Sequence, residues 1–232
     1  DGVSDCPVGE DEIGCQGLMS CPRLLRCTTE NLCAHHYQVC DGIIHCQKSQ
    51  DDERLCQDLS CPELCTCIGL AIFCQENATA PIHFPKMTKL LMLSSTNIEF
   101  GKFRKELNEM PFLLSLDFSR CNSSSIPEFM FIENKLLLLL NLSFNNIEDI
   151  SFSSFNSLKK LSYLNLCNNL LSYFLPNSFI NLQSLQTLLI CNNRFEDLSR
   201  VTFKGLKSLI FLSFQCNQIQ YIEPGSFDSV IN

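Results

Sequence analysis

From residue 88 onward the chain keeps one beat. Leu137, Leu140, Leu142, Asn145 and Ile147 return as Leu161, Leu164, Leu166, Asn169 and Leu171. They return again as Leu185, Leu188, Ile190, Asn193 and Phe195, and as Leu209, Leu212, Phe214, Asn217 and Ile219. Two looser copies come first, with Thr96 and Cys121 in the Asn column, so that column runs 96, 121, 145, 169, 193, 217, spaced by 25, 24, 24, 24 and 24 residues. A second column, Phe155, Phe179, Phe203 and Phe227, stands three residues before Leu158, Leu182, Leu206 and Val230. No single unit of this length can bury its own apolar face, so successive units must stack.

The pattern resembles the leucine-rich repeat. That resemblance implies an α/β-type leucine-rich-repeat solenoid, with a parallel concave β-sheet and a mostly irregular convex side. The Asn side chain is read as bonding backbone groups of neighbouring rungs, and Cys121 as a structural substitute with a weaker donor. Period-two alternation then turns three columns outward on the concave sheet. The first is Leu90, Ser115, Leu139, Tyr163, Thr187, Phe211; the second Met92, Asp117, Asn141, Asn165, Leu189, Ser213; the third Ser94, Ser119, Ser143, Cys167, Cys191, Gln215. Large apolar groups at solvent-facing positions mark contact surfaces, so Asp117, Leu139, Tyr163, Asn165, Leu189 and Phe211 are the candidate ligand-binding residues. Cys167 and Cys191 share a column on adjacent rungs. Parallel strands lie about 4.8 Å apart, wider than the Cβ separation a disulfide wants, so a bridge is possible only with some strain and two free thiols are the preferred reading.

The first part of the chain is built differently. Twelve of the sixteen cysteines lie before residue 75, and residues 1–60 carry eleven Asp/Glu against four Lys/Arg. Such a segment has too few large apolar residues for a conventional core, so crosslinks or metal must hold it. The cysteine density indicates an oxidising compartment. Zinc is the rival, since Cys33, His35, His36 and Cys40 lie close in sequence, but no paired Cys-x-x-Cys knuckles accompany them.

Just before the repeats, Cys61-Pro62-x-x-Cys65-x-Cys67-x6-Cys74 resembles the N-terminal cap of extracellular leucine-rich-repeat proteins, which implies pairing Cys61–Cys67 and Cys65–Cys74. Farther upstream, Cys40-Asp41-Gly42-x-x-His45-Cys46, then Asp51-Asp52-Glu53 and Cys56, resembles the calcium-binding end of an LDL-receptor class A repeat. That family implies Cys21–Cys33, Cys27–Cys46 and Cys40–Cys56. Asp1-Gly2-x-x-Asp5-Cys6-x4-Asp11-Glu12-x-x-Cys15 resembles the last third of a preceding class A repeat. The organisation expected is a class A remnant over 1–15, a second class A repeat and linker over 16–60, the cap over 61–87 and about six repeats over 88–232. Both ends read as cut from a longer protein.

The class A resemblance implies Ca2+, a hard cation that takes six to eight oxygens. By position its carboxylates fall on Asp1, Asp5, Asp11 and Glu12, with the Val3 carbonyl assisting, and in the second module on Asp41, Asp51 and Asp52, with the Gln38 and Ile43 carbonyls. One residue is inserted before Cys56, so Asp52 and Glu53 are an alternative final pair. His45 stands where the family has Asp, and imidazole nitrogen is a poor calcium ligand, so affinity in that module should fall. Three sequons, at Asn77, Asn122 and Asn141, are candidate glycosylation sites. A glycan on Asn141 would obstruct the concave face.

Several functions are excluded. A net charge of −8 disfavours nucleic acid, whose phosphates need a basic face. The longest apolar run, Leu136–Leu140, is far short of the roughly 20 residues of a membrane helix. No nucleophile–His constellation, P-loop, dinucleotide glycine motif or His-Glu-x-x-His is present, so no enzyme is expected.

As a whole, the order of modules resembles the ectodomain of relaxin-receptor-type leucine-rich-repeat G-protein-coupled receptors, most of all invertebrate members with tandem class A modules. The resemblance implies an extracellular, plasma-membrane receptor fragment. Its concave face would take a protein or peptide hormone, and its membrane domain would lie outside these residues. With Asp117 nearly alone as an acid on that face, a basic relaxin-like ligand is not expected. The alternatives are a secreted or anchored adhesion or matrix protein, and an endocytic-type receptor whose acidic modules capture Lys-rich ligands.

Overall fold

The computed structural model describes residues 21, 25–35, 38–54, 56, 60–76, 78, 82–96 and 98–230. Asp1, Asp5, Asp11, Glu12 and Asn77 therefore lie outside the described residues. The chain forms two compact units, Asp1–Ser60 with Cys67–Ala71, and Cys61–Thr66 with Ile72–Asn232.

In chain order the elements are β1 (Leu25–Arg26), β2 (Cys33–Ala34), α1 (Asp51–Arg54), β3 (Cys65–Ile68), β4 (Ala71–Cys74), β5 (Leu90–Met92), α2 (Phe100–Asn108) and β6 (Ser115–Asp117). They continue as β7 (Ser125–Ile126), β8 (Leu139–Asn141), β9 (Asp149–Ile150), β10 (Tyr163–Asn165), β11 (Thr187–Leu189), β12 (Asp197–Leu198), β13 (Phe211–Ser213) and β14 (Tyr221–Ile222).

The small unit is stapled rather than packed. β1 and β2 pair antiparallel, and disulfides join Cys21 to Cys33, Cys27 to Cys46 and Cys40 to Cys56. Among its described residues the buried apolar side chains are few: Cys27, Ala34, Val39, Cys46, Leu70 and Ala71. Covalent links substitute for the apolar area such a segment lacks.

The larger unit is a leucine-rich-repeat solenoid. One sheet runs β3-β4-β5-β6-β8-β10-β11-β13, and from β5 on each strand is parallel to the next. Register follows the repeat: Leu140 lies opposite Leu164, Leu164 opposite Leu188 and Leu188 opposite Leu212. Leu140, Leu164 and Leu188 are fully buried, whereas Leu212 in the outermost rung is half-buried. Burying a leucine contributes about 1.5–3 kcal/mol, and the row repeats that contribution rung by rung. Behind it Phe131, Phe155 and Phe179 stack with centroids 6.2 and 6.4 Å apart. Phe203 and Phe227 stack at 5.8 Å.

The first repeat departs from the irregular convex side expected of the others. It carries the nine-residue helix α2, whose Phe100, Phe103 and Leu107 are buried. Those positions share one helical face, and this is the repeat whose spacing to the next is 25 residues. Cys65 is bonded to Cys74, and Cys61 and Cys67 are also disulfide-bonded. One reading is corrected: Cys167 and Cys191 are not free thiols but form a disulfide. Their Cα atoms approach to 4.5 Å, closer than the mean strand spacing on which the sequence argument rested. Among the described residues, the free cysteines are Cys121, buried, and Cys216, exposed.

Candidate functional site on the concave sheet

Each three-residue strand turns its central side chain into the inner row and its two flanking side chains outward, so each rung offers the same outward positions to solvent. Leu139 sits opposite Tyr163, Tyr163 opposite Thr187, and Thr187 opposite Phe211. Leu139 is 45% exposed and Phe211 55%, while Tyr163 is half-buried. Leu139 and Tyr163 are therefore direct neighbours, and Phe211 stands two rungs away beyond Thr187. Ile210, immediately before Phe211, is 80% exposed and extends that apolar end of the face.

The second column is a hydrogen-bonded ladder. Asp117 Oδ1 accepts the Ser119 amide and hydroxyl at 2.9 and 2.6 Å, and its Oδ2 accepts Asn141 Nδ2 at 3.0 Å. Asn141 Oδ1 takes the Ser143 hydroxyl at 2.8 Å, and Asn165 Oδ1 the Cys167 amide at 3.0 Å. Asp117 thus faces the concave side with both oxygens already engaged. Asn165 and Leu189, both half-buried, stand two and three rungs farther along the same column. Asn141 is a working member of this ladder through the nitrogen that would carry a glycan. Asn122 is exposed and uses only its oxygen, which accepts Asn146 Nδ2.

Sequence reasoning missed the rim of the sheet. The residue before each Asn-column position has a positive φ: Ser95, Arg120, Phe144, Asn168, Asn192 and Cys216, between 52° and 64°. Asn tolerates this left-handed region and bulky side chains do not. Yet Phe144 occupies it with its ring 46% exposed. The Arg120 guanidinium lies over that ring at 4.2 Å from the centroid. The available signal was a Phe and an Arg in a column that elsewhere holds the smaller Ser95, Asn168, Asn192 and Cys216. A separate cleft of about 440 Å³, lined by Tyr173, Phe174, Arg194, Glu196, Asp197 and Thr202 among others, includes none of the concave candidates.

In the small unit the acidic loop does not fit a calcium cage. Asp41 Oδ2 lies 3.0 Å from His45 Nε2 while its Oδ1 accepts the Ile43 amide. Burial pushes the Asp41 carboxyl up, but the His45 bond, the Ile43 amide and the His45 charge outweigh it and hold it below the ordinary value. Asp51 Oδ2 accepts the Thr28 amide and hydroxyl, which draws its carboxyl down as well. Glu53 Oε1 accepts the Asp41 amide. Asp52 is fully buried, with one oxygen on the His45 amide and the other unpartnered. That orphan oxygen suits a hard cation, but the other donors are turned to protein partners. Among the described residues, the one group of three ligand atoms within 4.8 Å is Cys27, Glu30 and Cys46, whose cysteines are bonded to each other.

Residues 135–190 and 183–230 match the family described as Leucine rich repeat. No curated protein matches the chain. Among solved structures, a chain in the octameric complex of Latrophilin 3, Unc5D and FLRT2, in which FLRT2 contributes the leucine-rich repeats, superposes with a TM-score of 0.59 at 23% identity. The alignment covers 73% of this chain and 60% of that one. The TLR13–ssRNA13 complex gives 0.50 at 24% identity, over 62% of this chain and 24% of that one. Internalin C2 from Listeria monocytogenes gives 0.50 at 22% identity, over 62% and 58%. At these identities the likeness is one of fold: the body of the chain is a leucine-rich-repeat solenoid, a class of scaffold that presents a curved sheet to its partners. This chain spans 60% or less of each of the three.

Proposed function

We propose that the chain is the ligand-capturing part of an extracellular receptor of the relaxin-receptor type, and that its concave sheet takes a protein or peptide. The observation that carries this reading is the solvent-facing column in which Leu139 is about half exposed beside Tyr163 and Phe211, two rungs farther on, is about half exposed as well. Apolar groups clustered on a solenoid's concave face mark contact sites. Twelve disulfide-bonded cysteines among the described residues require an oxidising compartment, which supports an extracellular setting. Among the described residues no helix is long and apolar enough to cross a membrane, so membrane attachment is assigned to another part of the receptor.

Residues 16–60 are read as a class A module, a reading supported by the order of their three disulfides. We keep Asp1, Asp5, Asp11 and Glu12 as the proposed calcium set and assign no calcium role to the second module. Glycans are assigned to Asn77 and Asn122.

The test is a receptor expressed from the full coding sequence in reporter cells and challenged with fractionated peptides from the source organism. Leu139→Ser with Phe211→Ser should abolish the response at unchanged surface expression. A full coding sequence without seven apolar segments, or an unaltered response, overturns the receptor reading.

A further inference from the structure

We infer that Arg120 and Phe144 form an anchor for a carboxylate at the rim of the concave sheet, and that the ligand held there is an acidic peptide segment carrying an apolar side chain next to its Asp or Glu. This rests on the concave sheet being the capture surface and adds the chemistry of what is captured.

Two independent observations meet at this pair. The first is backbone strain. Arg120 and Phe144 have φ of 58° and 56° at a left-handed position that every rung repeats and that the smaller Ser95, Asn168, Asn192 and Cys216 fill elsewhere, and a bulky residue held there costs free energy that a smaller one would not. Strain of this kind gathers at binding sites. The second is an unmatched charge. Arg120 is exposed, its guanidinium lies on the Phe144 ring, and no hydrogen bond or ion pair of that guanidinium is found among the described residues.

The nearby acid of the ladder does not serve it. Asp117 spends both oxygens on Ser119 and Asn141.

The geometry selects the partner. Stacking occupies one face of the guanidinium and fixes its plane, leaving the N–H edges for a planar two-oxygen acceptor. The exposed remainder of the Phe144 ring offers apolar contact beside that acceptor, and Arg with an aromatic neighbour is the residue pairing of interface hot spots. A basic segment would be repelled. A polyanion such as RNA would meet a surface of net charge −8 with too few cations to replace its counterions.

The test uses the 232-residue chain and fluorescence anisotropy with three labelled probes: a peptide alternating Glu and Phe, its Lys/Phe counterpart, and oligo-uridine. The Glu/Phe peptide should bind at least about tenfold tighter than the Lys/Phe peptide, and Arg120→Ala should remove about tenfold of that affinity. Arg120→Lys should recover little, because it loses the fork and the stacking. Phe144→Asn should weaken binding yet raise the thermal midpoint, since Asn suits the local backbone. Equal affinity for the two peptides, tighter binding of oligo-uridine, an inert Arg120→Ala, or a lowered midpoint in Phe144→Asn each overturns the inference. In the reporter assay, loss with Leu139→Ser and Phe211→Ser but not with Arg120→Ala leaves concave capture standing and removes this anchor. The opposite pattern removes the concave reading instead.

Discussion

Asn145 and Cys121 are joined across one rung: the Asn145 Oδ1 accepts the Cys121 amide at 3.1 Å, and that of Ser123 at the same distance. Asn145 Nδ2 donates to the carbonyls of Phe118 and Leu142 at 2.9 and 3.0 Å. One buried side chain thus satisfies backbone groups that have no strand partner where the chain leaves the sheet. Asn145→Ala should cost about 3–5 kcal/mol, because each buried group left unpaired costs about 1–3 kcal/mol. Asn217, half-buried in the outermost rung, should cost clearly less. Urea unfolding of the two variants measures the difference, and equal losses would show that burial does not set the value of the ladder.

Cys121 is the exception within that ladder. Its Sγ donates to the Leu93 carbonyl at 3.0 Å and meets the Thr96 hydroxyl at 3.5 Å. Burial is the main cause that pushes this thiol up from its ordinary value of 9.0. Its stabilising contribution is therefore complete below pH 9.0 and is lost as pH rises through the higher folded value. Lys89 runs the other way. Burial draws its ammonium down from 10.5, so stability gained at Lys89 grows with pH up to that value. The difference between wild type and Cys121→Thr isolates the thiol. The variant, which copies Thr96, should lose less stability between pH 8 and pH 10 in urea titrations; parallel curves would mean that the thiol stays silent.

What was legible in the sequence follows from what repeats. The inner leucine row and the Asn column recur because every rung needs the same side chain at the same place, and both stand in register. The left-handed position before each Asn needs a backbone shape rather than a side-chain type, so Phe144 and Arg120 left no periodic trace. Alternation turned Asp117 outward correctly but could not show that its oxygens are occupied. Helix α2 lay in the one repeat where the spacing changes, and Phe100, Phe103 and Leu107 carried its period within a stretch taken as irregular.

The disulfide between Cys167 and Cys191 closes one whole rung, a sequence separation of 24 residues. Closing a loop of that length stabilises by about 3 kcal/mol in the chain-entropy account. Replacing both cysteines by Ser should lower the unfolding free energy by about that amount without changing the fold seen by circular dichroism. Alkylation of the native, non-reduced chain should label Cys216 quickly and neither of the bonded pair. Rapid labelling of Cys167 or Cys191 would return them to free thiols.

Two glycines should respond to the same substitution with opposite sign. Gly205 has φ +105°, and a Cβ there would sit 2.5 Å from Ile180 Cα and 2.6 Å from the Phe179 carbonyl oxygen. Backbone atoms of the preceding rung cannot move aside, so Gly205→Ala should cost more than about 2 kcal/mol. Gly101 lies in α2 with nothing within 4 Å of the added carbon, and Gly101→Ala should stabilise by about 0.5–1 kcal/mol through helix propensity. Thermal denaturation of both variants is the check, and a neutral Gly205→Ala would mean that the two rungs do not approach as closely as described.

His45 decides how the acidic loop of the small unit responds to calcium. Its imidazole engages Asp41, while the Asp52 carboxylate beneath it holds the His45 amide and keeps one buried oxygen unpartnered. With His45 in place, millimolar calcium should leave amide exchange across residues 41–53 unchanged in the full chain. His45→Asp supplies the missing hard oxygen donor and frees Asp41. Calcium should then slow exchange at the Ile43 and His45-position amides by about tenfold or more, an effect reversed by chelator. Calcium-dependent protection in the wild type would show that the imidazole gives way to the ion, and no response in the variant would show that this loop is not a class A calcium loop at all.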